Sequence, residues 1–104
     1  MHVVAKRTLK RFWESSPRHR QAAKKPLEAW HAEAEKAAWR TSADIKRQYR
    51  NASVLKNGRV VFNIKGNDYR LIVRVHYELQ RVYICWVGTH GDYDEIDAEK
   101  VRCT

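Results

Sequence analysis

Arginine, lysine, histidine and tyrosine recur in the second half of this sequence at spacings that would gather them on one surface. Between Tyr69 and His76, Tyr69, Leu71, Val73 and Val75 alternate with Arg70, Ile72, Arg74 and His76. This is the period of a strand with one apolar face and one polar face. Phe62 and Ile64 alternate in the same way with Asn63 and Lys65, and His90 and Tyr93 follow a third alternating stretch. Two arginines, a lysine and a histidine with few carboxylates make a shallow cationic face suited to a phosphodiester. Such a face can hold the backbone, stabilise charge on a reacting phosphate and move protons without a metal. If the substrate were RNA, its 2′-hydroxyl would be the nucleophile. One group must then help remove the 2′ proton, cations must stabilise the phosphorane, and an acid must protonate the leaving 5′ oxygen. Lys65, Arg70 and His90 are the catalytic candidates, assisted by Tyr93, with Asn63, Arg74, His76 and Lys56 as RNA-binding candidates. His90 is the natural proton carrier, because an unperturbed imidazole titrates near neutral pH. The plainer alternative is a solvated strand face with ordinary exposed cations. Against it, three basic residues on alternate positions of a central strand are costly unless that face is open to solvent or ligand.

Register arithmetic shows which elements must position these groups. A two-residue loop at Gly66-Asn67 requires a positive φ at the glycine. It sets Lys65 opposite Asp68, Ile64 opposite Tyr69, Asn63 opposite Arg70 and Phe62 opposite Leu71. Phe62, Ile64, Tyr69 and Leu71 then share the core face, since directly opposed side chains lie on one side. A second turn near Glu78–Arg81, centred on Leu79-Gln80, would place Arg74 opposite Cys85 and Arg70 opposite Thr89, with His90 beside Arg70. The third strand runs from about Val82 to Gly88, and an acidic stretch with Asp92, Asp94, Glu95, Asp97 and Glu99 follows. Upstream, Val3-Val4-Ala5 reads as a short strand, and Leu9, Phe12 and Trp13 have helical spacing. Ser16-Pro17 reads as a helix start. Ala23, Leu27, Trp30, Ala34 and Ala37 form one apolar stripe, within which Pro26 either kinks a long helix or begins a second. Ser42 is a candidate cap for a short helix that turns Ile45 and Tyr49 inward. The order β-α-α-(α)-β-β-β predicts an α+β fold with N-terminal helices on one face of a small antiparallel sheet.

Composition narrows the class. The chain has 104 residues, 43% of them hydrophobic, with four Trp, five Tyr and two Phe. That suffices for one domain, residues 1–104, with one modest core. No apolar run is long enough to span a membrane, and the first residues lack the apolar core of a signal peptide, so a cytoplasmic protein is expected. Two cysteines are too few for a disulfide framework. Neither they nor the five scattered histidines have metal-ligand spacing, so neither a metal nor another cofactor is expected. The net charge of +9 arises entirely in residues 1–56, which carry 14 Lys/Arg against 5 Asp/Glu; residues 57–104 carry 7 of each. A one-sided positive field favours phosphate backbones, and an acidic partner could mask it.

The segments Gly66-Asn67-Asp68-Tyr69-Arg70-Leu71-Ile72 and Gly88-Thr89-His90-Gly91-Asp92-Tyr93-Asp94 resemble the HigB toxin family, within the RelE-like mRNA interferases. The similarity extends to Trp30, Trp39, residues 42–49, Val61-Phe62-Asn63-Ile64-Lys65 and Ile96-Asp97-Ala98. The resemblance implies a RelE-like fold, cleavage of mRNA while it is read on the ribosome, and an adjacent helix-turn-helix antitoxin, HigA. By position it assigns the family's basic residues to Lys65, Arg70 and His90, with Tyr93 near a tyrosine that some relatives use for stacking or proton transfer. Two positions depart from the pattern. Asn63 and Lys65 stand where relatives often carry two lysines, and Cys85 stands where a basic residue is common. The latter is either a weakened RNA contact or a neutral packing change. Two other readings compete: a non-catalytic RNA- or ribosome-binding module using the same face, and a DNA-binding adaptor using the N-terminal helices.

Overall fold

The three alternating segments form the centre of a five-stranded sheet in a computed structural model that describes residues 1–15 and 18–103. The strands are β1 His2–Val4, β2 Ser53–Val54, β3 Arg59–Ile64, β4 Tyr69–His76 and β5 Arg81–Thr89, in the order β1-β5-β4-β3-β2. The meander β2 to β5 is antiparallel, as its hairpins require. β1 joins the far edge parallel to β5, with His2 opposite Arg81 and Val4 opposite Tyr83. The sheet is therefore mixed, with helices supplied by the N-terminal part of the chain. The helices are α1 Lys6–Glu14, α2 Lys24–Lys36, α3 Ser42–Gln48 and the single turn α4 His90–Tyr93. Among the described residues, no helix is long and apolar enough to cross a membrane.

The apolar stripe predicted for the helices is buried. Leu9, Phe12 and Trp13 of α1 and Leu27, Trp30 and Ala34 of α2 pack with Ala23 and Ile45 against Val60, Phe62, Ile64, Tyr69, Leu71 and Val73. Phe62 is the centre of this layer, with ring centroids 5.4 Å from Trp30, 6.1 Å from Trp39 and 5.0 Å from Tyr49. Such aromatic pairs add about 0.5–1.5 kcal/mol each beyond their burial. Pro26 does not kink a long helix: α2 begins at Lys24, after a 3₁₀ segment over Arg18–Ala23, so the proline sits in the first turn, where its missing N–H has no intrahelical partner to lose. The cap of α3 is Thr41 rather than Ser42. The Asp44 carboxylate accepts from the Arg40 and Thr41 N–H groups at 2.9 and 3.3 Å, and the first of these bonds does most to lower its pKa. The expected helix start at Ser16-Pro17 lies outside the described residues.

The first hairpin has the register read from sequence: Ile64–Tyr69, Asn63–Arg70 and Phe62–Leu71 are partners. Gly66 takes the positive φ of +64°, and Lys65 shares it at +53°. The second hairpin differs. Its tight turn spans Tyr77 to Gln80, and Arg74 faces Tyr83 while Arg70 faces Gly88. The turn holds four residues rather than two, which moves Arg74 from Cys85 to Tyr83, and a β-bulge in β5 then returns the register by one, so that Arg70 faces Gly88. Val73 pairs with Ile84 but Ile72 pairs with Trp86, which leaves Cys85 as the extra residue. Ile84 belongs to the core and Val87 packs against it, so the bulge turns both Cys85 and Trp86 toward the other sheet face.

That other face is not open throughout, as the cationic alternation implied. At its middle, Val61 and Ile72 are buried to 2% and 0% exposure although neither belongs to the main core. The chain after α4 returns over this face. Arg59 Nη1 donates to the Ala98 carbonyl at 2.9 Å, and Cys103 is joined to Cys85 by a disulfide. The cysteines, too few to suggest a framework, nevertheless pair.

The turn before β3 gives a direct test of the hairpin geometry. Gly58 has φ +74°, the Val75 N–H donates to its carbonyl at 2.8 Å, and a Cβ there would lie 2.7 Å from the Val75 oxygen. Left-handed backbone alone costs a residue with a Cβ about 1–2 kcal/mol. Gly58→Ala is therefore expected to lower stability by about 2 kcal/mol, read as a lower urea midpoint at unchanged slope. An unchanged midpoint would show that this turn does not hold the hairpin.

Candidate active site at the β3–β4 turn

The β3–β4 turn and the end of β5 bring part of the predicted set together. Arg70 leaves β4 on the face opposite the core and folds back over the turn. Its Nη2 donates to Asn67 Oδ1 at 2.5 Å, and its Nη1 to the Asn67 and Tyr69 carbonyls at 3.0 and 3.3 Å. Its Cζ lies 5.8 Å from the Tyr93 ring centroid, within reach of a cation–π interaction. These neutral acceptors fix the guanidinium without cancelling its charge, and among the described residues no carboxylate pairs with it.

Lys65 and His90 lie on the neighbouring side of the same turn. The His90 N–H donates to the Asp68 carbonyl at 2.9 Å, tying α4 to the turn. Thr89 caps this one-turn helix by accepting from the Asp92 N–H at 3.1 Å. An open depression of about 500 Å³ is lined by Lys65, Asn67, Asp68, Thr89 and His90, among others. The site is less purely cationic than the sequence implied. Lys65 Nζ is 3.5 Å from Asp68 Oδ2, and His90 Nε2 is 3.9 Å from Asp94 Oδ2. Both pairs are exposed, so solvent screening leaves them weak and easily exchanged for a phosphate. The proximity of His90 to Arg70 takes a different form from the one expected. Arg70 turns toward Asn67 and Tyr93, whereas His90 turns toward Asp94 and the depression.

The remaining candidates divide. Asn63 is Arg70's cross-strand partner and half-buried. Arg74 and His76 are farther along β4, where six residues of strand span about 20 Å. Arg74 lies over Tyr83, 5.6 Å from its centroid, and His76 Nδ1 accepts from the Leu79 N–H at 3.3 Å. Lys56 belongs to the turn entering β3, at this same end of the sheet. The structure thus gathers Lys65, Arg70, His90 and Tyr93 at one end and leaves Lys56, Arg74 and His76 at the other.

Trp86 was missed by the sequence reading. It packs beside Tyr93, with ring centroids 6.2 Å apart, and its indole lies over Gly88. Gly88 is what admits it, since a Cβ there would fall 2.3 Å from an indole carbon. The signal was the Trp-x-Gly spacing, two residues apart on one strand face, hidden by the bulge that reassigns the face. Gly88→Ala is expected to shift Trp86, changing the near-UV circular dichroism and costing about 1–3 kcal/mol from overpacking. Gly91→Ala is the control, because a Cβ at Gly91 meets nothing within 4 Å. Identical spectra for Gly88→Ala and wild type would show that the indole is not held there.

Comparison with known proteins shows the family. Residues 23–96 match the model of the HigB toxin family, described as the RelE-like toxic component of a toxin–antitoxin system. The chain is also similar to the mRNA interferase toxin HigB of Escherichia coli strain K12, at 30% identity over 96 residues covering 90% of this chain and 88% of that protein. The mRNA interferase HigB proteins of Escherichia coli O157:H7 and Shigella flexneri match equally well, at 30% identity over the same shares. The matched span runs from the start of the buried helical stripe through β5 to the segment that crosses the second sheet face, and the chain belongs to the HigB family of RelE-like toxins.

Proposed function

We propose that this toxin is an endoribonuclease that cleaves mRNA by metal-independent attack of the RNA 2′-hydroxyl. The observation that carries the reading is the placement of Arg70. Its guanidinium is held by the Asn67 side chain and by backbone carbonyls, with no carboxylate partner among the described residues, over the turn whose depression Lys65 and His90 line. The relatives named mRNA interferases support the substrate. The 2′ oxygen attacks the adjacent phosphorus as its proton passes to a base. Arg70 and Lys65 stabilise the charge on the phosphorane. The 5′ oxygen then leaves with a proton, giving a 2′,3′-cyclic phosphate and a 5′-hydroxyl. His90 carries the proton and Tyr93 assists, by stacking or by proton transfer. Asn63, Arg74, His76 and Lys56 hold the backbone, extending the site along the sheet.

The toxin acts in this reading as one domain of residues 1–104, in the cytoplasm, on messages under translation at the ribosome. Its antitoxin is a HigA-like helix-turn-helix protein that places acidic residues on the basic surface of residues 1–56. No small-molecule cofactor enters the reaction.

Arg70→Ala removes a charge-stabilising donor and no core packing. It is expected to lose about 3 kcal/mol at the transition state, more than a hundredfold in cleavage, and with it growth inhibition. Far-UV circular dichroism should show the fold retained. Undiminished cleavage by the folded variant would remove Arg70 from the mechanism, and a wild-type protein that binds RNA without cutting it would favour a binding module.

His90→Gln separates proton transfer from structure. Glutamine can still hydrogen-bond at the start of α4 but cannot shuttle a proton. Cleavage is expected to fall by about a hundredfold while far-UV circular dichroism shows the fold retained. A wild-type rate would mean that His90 only orders the C-terminal segment.

A further inference from the structure

The sheet face that carries Arg70 and Arg74 is crossed by the chain's own C-terminal segment. After α4, residues 94–103 pass Arg59, whose guanidinium donates to the Ala98 carbonyl at 2.9 Å, and end at Cys103, bonded to Cys85. The same face carries Val61 and Ile72, buried although they are outside the main core. Within residues 94–103, Asp94, Glu95, Asp97 and Glu99 outnumber Lys100 and Arg102. The occupant of this cationic face is therefore net negative, the same sign as an RNA backbone.

We propose that the Cys85–Cys103 bond is a redox latch. When it is closed, residues 94–103 form a strap over the middle of the RNA-binding face and weaken RNA binding. When it is opened, the strap releases and the face between Arg70 and Arg74 becomes continuous. The proposal rests on the reading of that face as the RNA surface. A segment held by the Arg59 side chain's hydrogen bond to Ala98 and by the half-buried Ile96, Ala98 and Val101 belongs to the part of a fold that opens most easily. The covalent bond closes a separation of 18 residues and holds the segment's end on β5. The bulge makes this possible, because it turns Cys85 toward the strap. Opening requires a thiol reductant, either a small-molecule thiol or a protein dithiol. One thiolate attacks a sulfur of the pair and displaces the other as a thiolate. A second reductant thiol then resolves the mixed disulfide. Two electrons pass from the reductant to the cysteines, which become two thiols, while the reductant becomes a disulfide. The reverse exchange with an oxidised dithiol closes the latch. Disulfides in a reducing compartment are characteristically transient or sensing ones, so the latch would stand open in ordinary conditions and close under oxidant.

The test compares the purified wild-type protein, oxidised and reduced, binding a fluorescent single-stranded RNA. Mass mapping after alkylation of free thiols reports the bond. The reduced protein is expected to bind at least tenfold more tightly than the oxidised one. Cys103→Ser is expected to bind as the reduced protein does under both conditions. Equal affinity in the two states, alkylation of both cysteines after oxidation, or a redox response that persists in Cys103→Ser would each overturn the latch. If both states cleave message equally, the latch fails and the catalytic reading stands. If the reduced protein neither binds nor cleaves RNA, both fail.

Discussion

The four-residue turn between β3 and β4 is the constraint on which the site depends. Its left-handed residues, Lys65 and Gly66, allow the strands to meet with Asn63 opposite Arg70. Side chains alternate, so a slip of one residue would send Arg70 into the helical core and expose Leu71. The same turn supplies the groups that aim the arginine, since Asn67 offers it both a side-chain and a backbone oxygen. It also supplies the Asp68 carbonyl that anchors the N–H of His90. Register, charge placement and the approach of the last strand are thus set by one short loop.

The two faces of the sheet are built on different terms. The face under the helices is a continuous apolar layer around Phe62, with three aromatic neighbours that give its ring one orientation. The other face has cations at its ends and two buried aliphatic residues, Val61 and Ile72, at its centre. The chain's own acidic end crosses this face, tied to it at Arg59 and Cys85. This explains how a central strand can alternate basic and apolar residues: Arg70 and Arg74 emerge on either side of the covered middle.

Local rules made much of this legible before any coordinates. The helical stripe from Ala23 to Ala34 and the first hairpin depend on periodicity and a short turn, and both follow from neighbouring residues alone. The gathering of Lys65, Arg70 and His90 at one end of the sheet followed from them. The extra residue at Cys85 did not, because a bulge is chosen by what covers the strand and not by the strand's own alternation. The four-residue turn from Tyr77 to Gln80 set Arg74 opposite Tyr83, and the extra residue then set Arg70 opposite Gly88 and turned Trp86 to the face where it meets Tyr93. The pairing of Cys85 with Cys103 was hidden for the same reason, since it depends on the path of a segment with no periodicity. Short polar devices were also beyond reach: Thr41 and Ser42 are equally plausible caps until the Asp44 carboxylate is seen to bond the Arg40 and Thr41 amides.

The parallel edge strand has a consequence for how the toxin comes into being. Its first residues are hydrogen-bonded to the last long strand, His2 opposite Arg81 and Val4 opposite Tyr83. During synthesis the start of the chain has no partner until nearly all of it has emerged. Contacts so distant along the chain form late, because the entropy of closing the loop between them must be met first. A hairpin such as β3–β4 joins neighbours in sequence and can close early, whereas β1 must find β5 across most of the chain. The β1–β5 edge is therefore the part of the sheet expected to form last.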